Sequence, residues 1–467
     1  MYLRKIRLKD VKCFEDAELG FVDENDEIIR WTVILGENGT GKSTILRSIA
    51  LLLAGSDASK GLEHEPRNMV RSGCMEGIID AEVELSDKKR ALKIGMRFLN
   101  KHLSEGWGAL PGDDREIFEE LLHEDYGRGN FVCGYGAVRI AAWGERIVQR
   151  GYPEKHQDPR IDRLQTLFNE EMLLGPANER LVGRGYGLRG IRSEGIHTDE
   201  LRLKNAVETL SDILPSVTLK EINPDGVAIF NTPYGEGPLS ELSRGYRDIL
   251  TWVTDLMRHL IDAFPDSDDP LQERGVVLIE GIMLHLHPIW QQKVIDFLRE
   301  KFPNLQFIVS THSPLAAQSL NQNELVVLKR VEGKDKQKDT VSIDRFDLAP
   351  KSMSVDQILT SPVFGLTSAK SLEVQEKMGD FTKIKRKILR GEATENEEHR
   401  YRGLTRYFEE VHEAPGESFA QRDQFIRMEN ILRKLGREDL LEYPPIEALK
   451  SKRKSSKERK KDSGVMR

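Results

Sequence analysis

Cysteine is scarce in this chain, and its three residues are far apart. Cys13, Cys74 and Cys133 stand in no metal-type spacing. An odd and sparse set of thiols argues against a disulfide framework and fits a protein of a reducing compartment. The sequence therefore predicts neither a disulfide-rich domain nor a cysteine-ligated metal site.

Long apolar runs and a net positive charge are also missing. The apolar stretch Ile49–Gly55 is too short to span a bilayer, and Met1–Lys5 contains no apolar core of a signal peptide. We therefore expect a soluble, cytoplasmic protein without membrane contact. The net charge of −7 creates no general basic field, so contact with nucleic acid would need a local patch.

The most informative stretch is Gly36–Thr44, which fits the P-loop pattern G-x-x-x-x-G-K-[ST]. A β-branched apolar run precedes it and a helical pattern follows it, which is the context that a phosphate-binding loop needs. The glycines let backbone N–H groups and the helix N-terminus face phosphate oxygens. Lys42 is expected to reach the β- and γ-phosphates of ATP, and Ser43 to ligate Mg²⁺. The predicted nucleotide-binding residues here are Gly36, Asn38, Gly39, Gly41, Lys42, Ser43 and Thr44.

A second candidate motif is Leu242-Ser243-Arg244-Gly245, between a predicted loop and a predicted helix. It resembles the L-S-x-G signature of ABC-type ATPases, in which this serine and glycine hold the γ-phosphate of ATP bound to the other subunit. Ser243 and the Gly245 N–H, at a helix N-terminus, are chemically suited to that task. The alternative is that Ser243 only caps its helix.

Two predicted buried strands end in groups that can complete the ATP site. Val276–Ile279 leads into Glu280, the Walker B position, which we expect to bind Mg²⁺. Phe307–Thr311 leads into His312, the H-loop position, which we expect to hydrogen-bond the γ-phosphate. His285 and His287 stand two residues apart, but no third ligand is spaced to make a metal site, so a structural role is favoured.

These motifs, in this order, resemble the SMC/RecF-like branch of ABC ATPases, often labelled AAA-family ATPases, over roughly residues 1–345. Within that branch, Gly134-Tyr135-Gly136-Ala137-x-Arg139, Leu284–Pro288 and Ser354–Gly365 are most similar to the ATPase subunits of Septu anti-phage systems, which also occur in some retron systems. The resemblance implies an α/β P-loop head, self-association head to head or into a higher homo-oligomer, and a scaffold and sensor role. It also implies that a separate HNH protein cuts nucleic acid.

One position departs from the family pattern. Members usually end the Walker B strand in Asp-Glu, whereas this chain has Glu280-Gly281. Gly281 takes the place of the glutamate that activates the attacking water, and glycine has no side chain for that task. Loss of a positioned general base typically costs about 10²–10⁴-fold in rate. We therefore expect the protein to bind ATP·Mg²⁺ and to hydrolyse it slowly or not at all.

The 467 residues divide into five predicted regions. A first ATPase lobe with the P-loop covers 1–98, within which the polar stretch Ser56–Arg71 is predicted to be a loop. Then follow a mostly helical insertion (99–215), a second lobe with signature, Walker B strand and H-loop (216–345), a helical C-terminal region (346–449) and a basic, disordered tail (450–467). The tail is either solvated or a contact for nucleic acid.

Two functions remain open at this point. The first is an ATP-gated regulatory subunit that controls a partner nuclease of the HNH type. The second is an active RecF-like ATPase in DNA repair or maintenance, which would need another residue to replace the missing base. A nuclease centre is not visible in the chain, because His399 and His412 form no convincing HNH arrangement with Asn396.

Overall fold

The structure is a computed structural model of the full chain. The structure describes residues 1–85, 91–100, 106–110, 112–123, 130–139, 158–172, 174, 217–222, 228–333, 339–346, 349–361, 364, 366, 368, 370–410, 428 and 431–441. Two compact units divide the chain, Met1–Met353 and Ser354–Arg467.

An antiparallel sheet begins the first unit. Its strands are β1 (Tyr2–Val11), β2 (Phe14–Gly20), β4 (Glu76–Glu84), β5 (Ala91–Leu99) and β6 (Trp107–Ala109), in the spatial order β2-β1-β4-β5-β6. Buried and more accessible residues alternate along β4, so one face of the sheet lies against the core.

The second sheet has six strands and is mostly parallel. Its members are β3 (Trp31–Gly36), β7 (Phe131–Tyr135), β11 (Gly275–Ile279), β12 (Leu305–Ser310), β13 (Leu325–Val331) and β14 (Thr340–Arg345), in the order β14-β13-β3-β12-β11-β7. Only the edge pair β13–β14 is antiparallel. Every residue of β7, β11 and β12 is buried, which explains their continuous apolar runs. The residues that follow β3, β11 and β12 therefore emerge at one edge of the sheet.

Helix α1 (Lys42–Ala54) leaves the P-loop and lies between the two sheets. Its apolar side chains, such as Ile45 and Leu53, are fully buried and join residues of both sheets in one core. The segment Ser56–Leu62 was predicted to be a loop because its residues are mostly polar, and this prediction is wrong. The segment forms helix α2, in which Ala58, Ser59 and Leu62 are buried.

The other helices of the first unit cover or connect the sheets. They are α3 (Arg115–His123), α4 (Pro159–Phe168), α5 (Arg244–Ala263), α6 (Pro288–Gln291), α7 (Val294–Lys301) and α8 (Pro314–Ala317). A small antiparallel sheet of β8 (Thr218–Ile222), β9 (Ala228–Thr232) and β10 (Gly235–Pro238) leads towards α5. Tyr135 on β7 donates a hydrogen bond of 3.1 Å to the buried carboxylate of Asp255 on α5.

The second unit is helical in its described part. It contains α9 (Val355–Thr360), α10 (Leu372–Arg390) and α11 (Glu395–Glu410). Helices α10 and α11 form a hairpin around a small core that includes stacked Phe381 and Tyr401 rings. The predicted disordered tail (450–467) lies outside the described residues, as does most of the predicted helical insertion (99–215).

The cysteines and the apolar character of the helices can be compared with the sequence analysis. Cys13, Cys74 and Cys133 form no disulfide bond with one another. In the part of the chain that the structure describes, no helix has both the length and the apolar character that crossing a bilayer requires.

Candidate functional site

A cavity of about 330 Å³ opens where the P-loop and two neighbouring strands end. The P-loop follows β3, His312 follows β12 and Glu280 follows β11, and these three strands are adjacent in the parallel sheet. The residues that line the cavity are Lys12, Cys13, Asn38, Gly39, Gly41, Lys42, Ser43, Thr44, Glu280 and His312. The structure thus brings together most of the residues that the sequence predicts for an ATP site.

The P-loop depends on two glycines whose backbone is left-handed. Gly39 has φ 80° and Gly41, the N-cap of α1, has φ 91°. A Cβ atom on Gly41 would lie 2.5 Å from the Cys13 sulfur and 2.7 Å from the Phe14 ring. Only glycine fits such a close and left-handed position. The loop therefore keeps the backbone exposed to the cavity, as phosphate binding through N–H groups requires.

Lys42 is held by the P-loop itself. Its ammonium group donates hydrogen bonds of 2.8 Å to the carbonyl oxygens of Gly36 and Glu37. Burial lowers the pKa of Lys42, and the Glu280 carboxylate partly offsets that effect. A half-buried cation beside backbone N–H groups is a site for anionic oxygen, and phosphate is the anion for which this loop pattern is typical.

The next residue, Ser43, links the P-loop to the Walker B strand. Its hydroxyl donates a hydrogen bond to the carboxylate of Glu280. A hydroxyl and a carboxylate are oxygen ligands of the type that Mg²⁺ prefers. Because both line the same cavity as Lys42, this part of the site fits a divalent cation bound next to phosphate oxygens.

Arg139, at the end of β7, fixes the backbone that carries Glu280. Its guanidinium donates to the carbonyl oxygens of Glu280 and Gly281, the latter at 2.9 Å, and to that of Gly136 at 3.0 Å. Burial lowers the pKa of Arg139 to about 10, against the opposing effect of nearby Asp248 and Glu280 carboxylates, so it stays charged at neutral pH.

Gly281 occupies a restricted position. Its φ is 61°, and a Cβ atom there would lie 2.5 Å from Cδ1 and 2.9 Å from Cγ of Leu284. Its N–H donates a 3.1 Å hydrogen bond to the hydroxyl of Ser310, at the end of β12. Glu280 is the one carboxylate among the residues that line the cavity, and it is already bonded to Ser43. The lining described here therefore offers no second carboxylate to activate water.

His312 lines the cavity on the side of β12. Burial lowers its pKa, and the Lys42 ammonium lowers it further. The imidazole is therefore neutral at pH 7, and one ring nitrogen can donate a hydrogen bond to phosphate while the other accepts.

The signature residues Ser243 and Gly245 do not line this cavity. Ser243 is the N-cap of α5, yet its side chain makes no capping hydrogen bond and is exposed. The structure therefore does not support the alternative that the Ser243 side chain only caps its helix. Gly245 lies against the loop that follows β11, since a Cβ atom on Gly245 would be 2.6 Å from the carbonyl oxygen of His285 in that loop.

The two histidines of that loop have structural contacts. The His285 Nδ1 atom lies 2.7 Å from a carboxylate oxygen of Asp248 on α5. His287 accepts a hydrogen bond of 3.4 Å from the N–H of Ile289 at the start of α6. Among the described residues, no group of three or more His, Cys, Asp or Glu side chains is placed to hold a metal ion.

Sequence reasoning missed three residues at the site. Lys12 and Cys13, in the turn between β1 and β2, line the cavity because that turn meets the P-loop at Gly41. Arg330 on β13 is exposed, and its Nη2 atom lies 3.9 Å from the position that a Cβ atom on Gly39 would take. Nothing in the local sequence around these residues indicates the contact, since each depends on how strands pair.

The strand order and the loops at the carboxyl ends of β3, β11 and β12 give the chain the fold of an ABC-type P-loop head. The predicted fold class, an SMC/RecF-like α/β head with a helical C-terminal region, is thereby confirmed. A protein-family model described as "AAA domain" matches residues 5–167, and one described as "AAA domain, putative AbiEii toxin, Type IV TA system" matches residues 112–317.

Within this class, the chain is similar to Septu protein PtuA. It is 27% identical to PtuA of Bacillus mycoides over 366 residues, which are 78% of this chain and 45% of that protein. It is 44% identical to the retron Ec83 probable ATPase of Escherichia coli over 89 residues, which are 19% of this chain and 16% of that protein. The chain spans less than half of the length of these curated relatives. The resemblance to Septu ATPases that the sequence indicated is confirmed.

A solved structure with a similar course of the chain is the SMC head domain from Thermotoga maritima. It is 16% identical, has a TM-score of 0.42, and the match covers 74% of this chain and 100% of that chain.

Proposed function

We propose that this protein is the ATP-binding regulatory subunit of an anti-phage defence complex, in which its nucleotide state controls a partner nuclease of the HNH type. Its similarity to Septu and retron ATPases supports the defence role. The observation that carries the regulatory role is the pair Glu280-Gly281, which keeps a metal-binding carboxylate and lacks the side chain that would activate water. We place the complex in the cytoplasm.

The proposed nucleotide is ATP with Mg²⁺. Lys42 and the N–H groups of the P-loop would hold the phosphates, and His312 would hydrogen-bond the terminal one. Ser43 and Glu280 would hold Mg²⁺, which neutralises phosphate charge when bound. Lys42, Ser43, Glu280 and His312 all line one cavity, which supports this assignment.

Hydrolysis is proposed to be slow or absent. A missing general base typically costs about 10²–10⁴-fold in rate. Turnover should therefore stay below about 1 s⁻¹, under the ordinary range of enzymes. Faster turnover by the purified protein would contradict this part of the proposal. Turnover that is strongly stimulated by DNA would favour the RecF-like alternative.

The proposed complete site needs two copies of the chain. Ser243 lies outside the cavity of its own chain and does not cap its own helix. Its hydroxyl and the N-terminal N–H groups of α5 remain available for the γ-phosphate in a partner copy. Each copy would then complete the site of the other.

The test is the oligomeric state with and without ATP·Mg²⁺, measured by analytical ultracentrifugation. Wild type should shift to a larger species when ATP is added, and Lys42→Ala should abolish that shift. Lys60→Ala, at an exposed lysine on α2, removes the same charge elsewhere and should behave as wild type. An oligomer that is unchanged by ATP in the wild type would count against the proposal.

The proposed nuclease partner requires its own experiment. The protein would be purified from cells that express its native operon, in the presence and absence of ATP, and the bound proteins would be identified by mass spectrometry. An HNH protein that co-purifies supports the assignment. A complex that contains only this chain under both conditions would contradict it.

A further inference from the structure

The C-terminal half of helix α10 carries charge of one sign. Residues 381–390 include Lys383, Lys385, Arg386, Lys387 and Arg390 and no acidic residue. The preceding turns of the same helix are different, since Glu373, Glu376 and Asp380 outnumber Lys377 there. In a chain with a net charge of −7, this segment is a local reversal of sign.

Two of the five cations have partners in the hairpin. Lys387 forms an ion pair with Glu397 at the start of α11. The Lys385 ammonium lies 5.7 Å from the centre of the Phe381 ring. Lys383, Arg386 and Arg390 are exposed, and none has an ion-pair partner within the described ranges. We call these three residues the basic stripe.

The basic stripe lies on one face of α10. Its members are spaced i, i+3 and i+7, which places them above one another along a helix. Phe381, Ile384 and Ile388 are buried in the hairpin core. At 100° per residue, the stripe points away from that core. The three cations are therefore presented to solvent from a helix whose orientation is fixed by packing on its other side.

Helix stability accounts for only part of this arrangement. Cations in the last turn interact favourably with the C-terminal end of the helix dipole. That explains Lys387 and Arg390, but Lys383 is two turns from the end of α10, beyond the range of the effect. A solvated helix face would also gain from acidic partners four residues away, as Lys377 has in the preceding Glu373, and no member of the stripe has an acidic residue at that spacing on either side.

The chemistry of this face favours a polyanion over a protein surface. Protein interfaces are organised around buried apolar or aromatic anchors. Between Lys383 and Arg390, the exposed apolar side chain is Leu389, which lies about 90° around the helix from the stripe, and the exposed Leu372 lies about 16 Å before Lys383 along the helix axis. The rise between successive stripe residues is about 4.5 and 6 Å. A nucleic-acid strand presents a phosphate about every 3.4 Å along the axis of a duplex, so the stripe can contact several neighbouring phosphates.

We propose that the basic stripe binds the sugar-phosphate backbone of nucleic acid, without reading its sequence. Lys383 would contact one phosphate as a compact cation, and Arg386 and Arg390 would each donate paired N–H groups to phosphate oxygens. This binding is independent of the ATP site, and it can be tested whether or not the regulatory function holds.

The experiment measures fluorescence anisotropy of labelled 30-nucleotide probes with the full-length protein, without nucleotide, from 50 to 200 mM NaCl. Duplex DNA, single-stranded DNA and single-stranded RNA of random sequence are separate arms. The variant is Lys383→Gln/Arg386→Gln/Arg390→Gln. Three lost phosphate contacts should lower the slope of log affinity against log salt by about 2.7 for duplex DNA and about 2.1 for single strands.

A charge-matched control is Lys9→Gln/Lys93→Gln/Lys329→Gln, at three exposed lysines on strands of the first unit. It should keep the wild-type slope, and circular dichroism should show both variants to be folded. The basic tail is present in every protein, so the difference isolates the stripe. Equal slopes for variant and control, or no binding of wild type to any probe at 50 mM NaCl, would overturn the proposal. Equally strong, stripe-dependent binding of polyglutamate would also overturn it, in favour of an acidic protein surface.

Discussion

The hydroxyl of Ser43 donates a hydrogen bond to the carboxylate of Glu280, which joins the first turn of α1 to the end of β11. The two residues are 237 positions apart in the chain. Their contact brings a P-loop hydroxyl and a Walker B carboxylate to one point of the cavity. Both are oxygen donors, and the contact therefore marks where the structure can hold a divalent cation.

Glu280→Gln should weaken the dependence of ATP affinity on Mg²⁺. The amide keeps the shape of the side chain but loses the charge that favours a cation. Loss of a group that orients or neutralises a metal site typically costs about 10–100-fold in affinity. Calorimetric titration of ATP with and without Mg²⁺ would measure the effect. Glu300→Gln, an exposed residue on α7, should leave both affinities unchanged. A variant that retains the full effect of Mg²⁺ would exclude Glu280 from the metal site.

Ser243→Ala should abolish ATP-dependent association and leave the stability of the fold unchanged. The reason is that the Ser243 hydroxyl makes no capping bond, so its removal frees no backbone N–H group. Analytical ultracentrifugation and urea unfolding would measure the two effects separately.

Ser371→Ala serves as a control, because this variant should destabilise a helix without affecting association. Ser371 is also a helix N-cap, and its side chain accepts a hydrogen bond from the N–H of Val374. Its loss should cost about 0.5–2 kcal/mol of helix stability, and association should persist. A destabilised Ser243→Ala protein that still associates with ATP would mean that this serine is only a cap.

The site residues that come directly after the ends of buried strands could be predicted from the sequence. Three or more consecutive apolar residues within a short strand pattern indicate a buried parallel strand, and such a run lies shortly before both Glu280 and His312. In a parallel sheet, successive strands end at the same edge. Since Lys42 follows a third such strand, local pattern and sheet geometry together were sufficient to bring these residues to one cavity.

Contacts that depend on distant pairing could not be predicted. Arg139 follows β7 as an isolated charge, and nothing near it indicates that it binds carbonyl oxygens at Glu280 and Gly281. Helix α2 was predicted to be a loop because its residues are mostly polar. The buried Ser59 hydroxyl bonds to the carbonyl oxygens of Leu51 and Gly55, so packing on the end of α1 stabilises the helix. In such segments, tertiary contacts outweigh local propensity in determining the secondary structure.

His312 should titrate below its usual value near 6.5. Burial is the larger cause and the Lys42 ammonium the smaller, so Lys42→Ala should raise the pKa of His312 without restoring it fully. NMR titration of the histidine Cε1–H signals would measure both values, with His312→Asn for assignment. Lys60→Ala, which removes a distant cation, should leave the pKa unchanged.

The sign of the related pH effect on stability follows from the lowered pKa. Above pH 6.5 the imidazole is neutral in both the folded and the unfolded chain. As the pH falls, the unfolded chain takes up a proton first, so this contribution to the free energy of unfolding is lost as the pH falls through the folded pKa. A His312 signal that titrates above 6.5 would contradict the lowered pKa.

Gly281→Glu should not create an active ATPase. A glutamate at φ 61° is strained, and because its Cβ would lie 2.5 Å from Leu284 Cδ1, either the exposed leucine side chain or the backbone that bonds to the Ser310 hydroxyl has to move. We expect a loss of about 1–3 kcal/mol in the free energy of unfolding, measured in urea, and ATP turnover within a factor of ten of wild type.

Gly281→Glu/Leu284→Ala separates the two sources of strain. Removing the leucine side chain relieves the crowding but not the left-handed backbone, so stability should recover only in part relative to Leu284→Ala alone. If turnover rises more than tenfold in this double variant and not in Gly281→Glu, crowding by Leu284 is what keeps a base out of the site. If Gly281→Glu alone is active, the conformation at Gly281 is no barrier, and the missing carboxylate by itself explains slow hydrolysis.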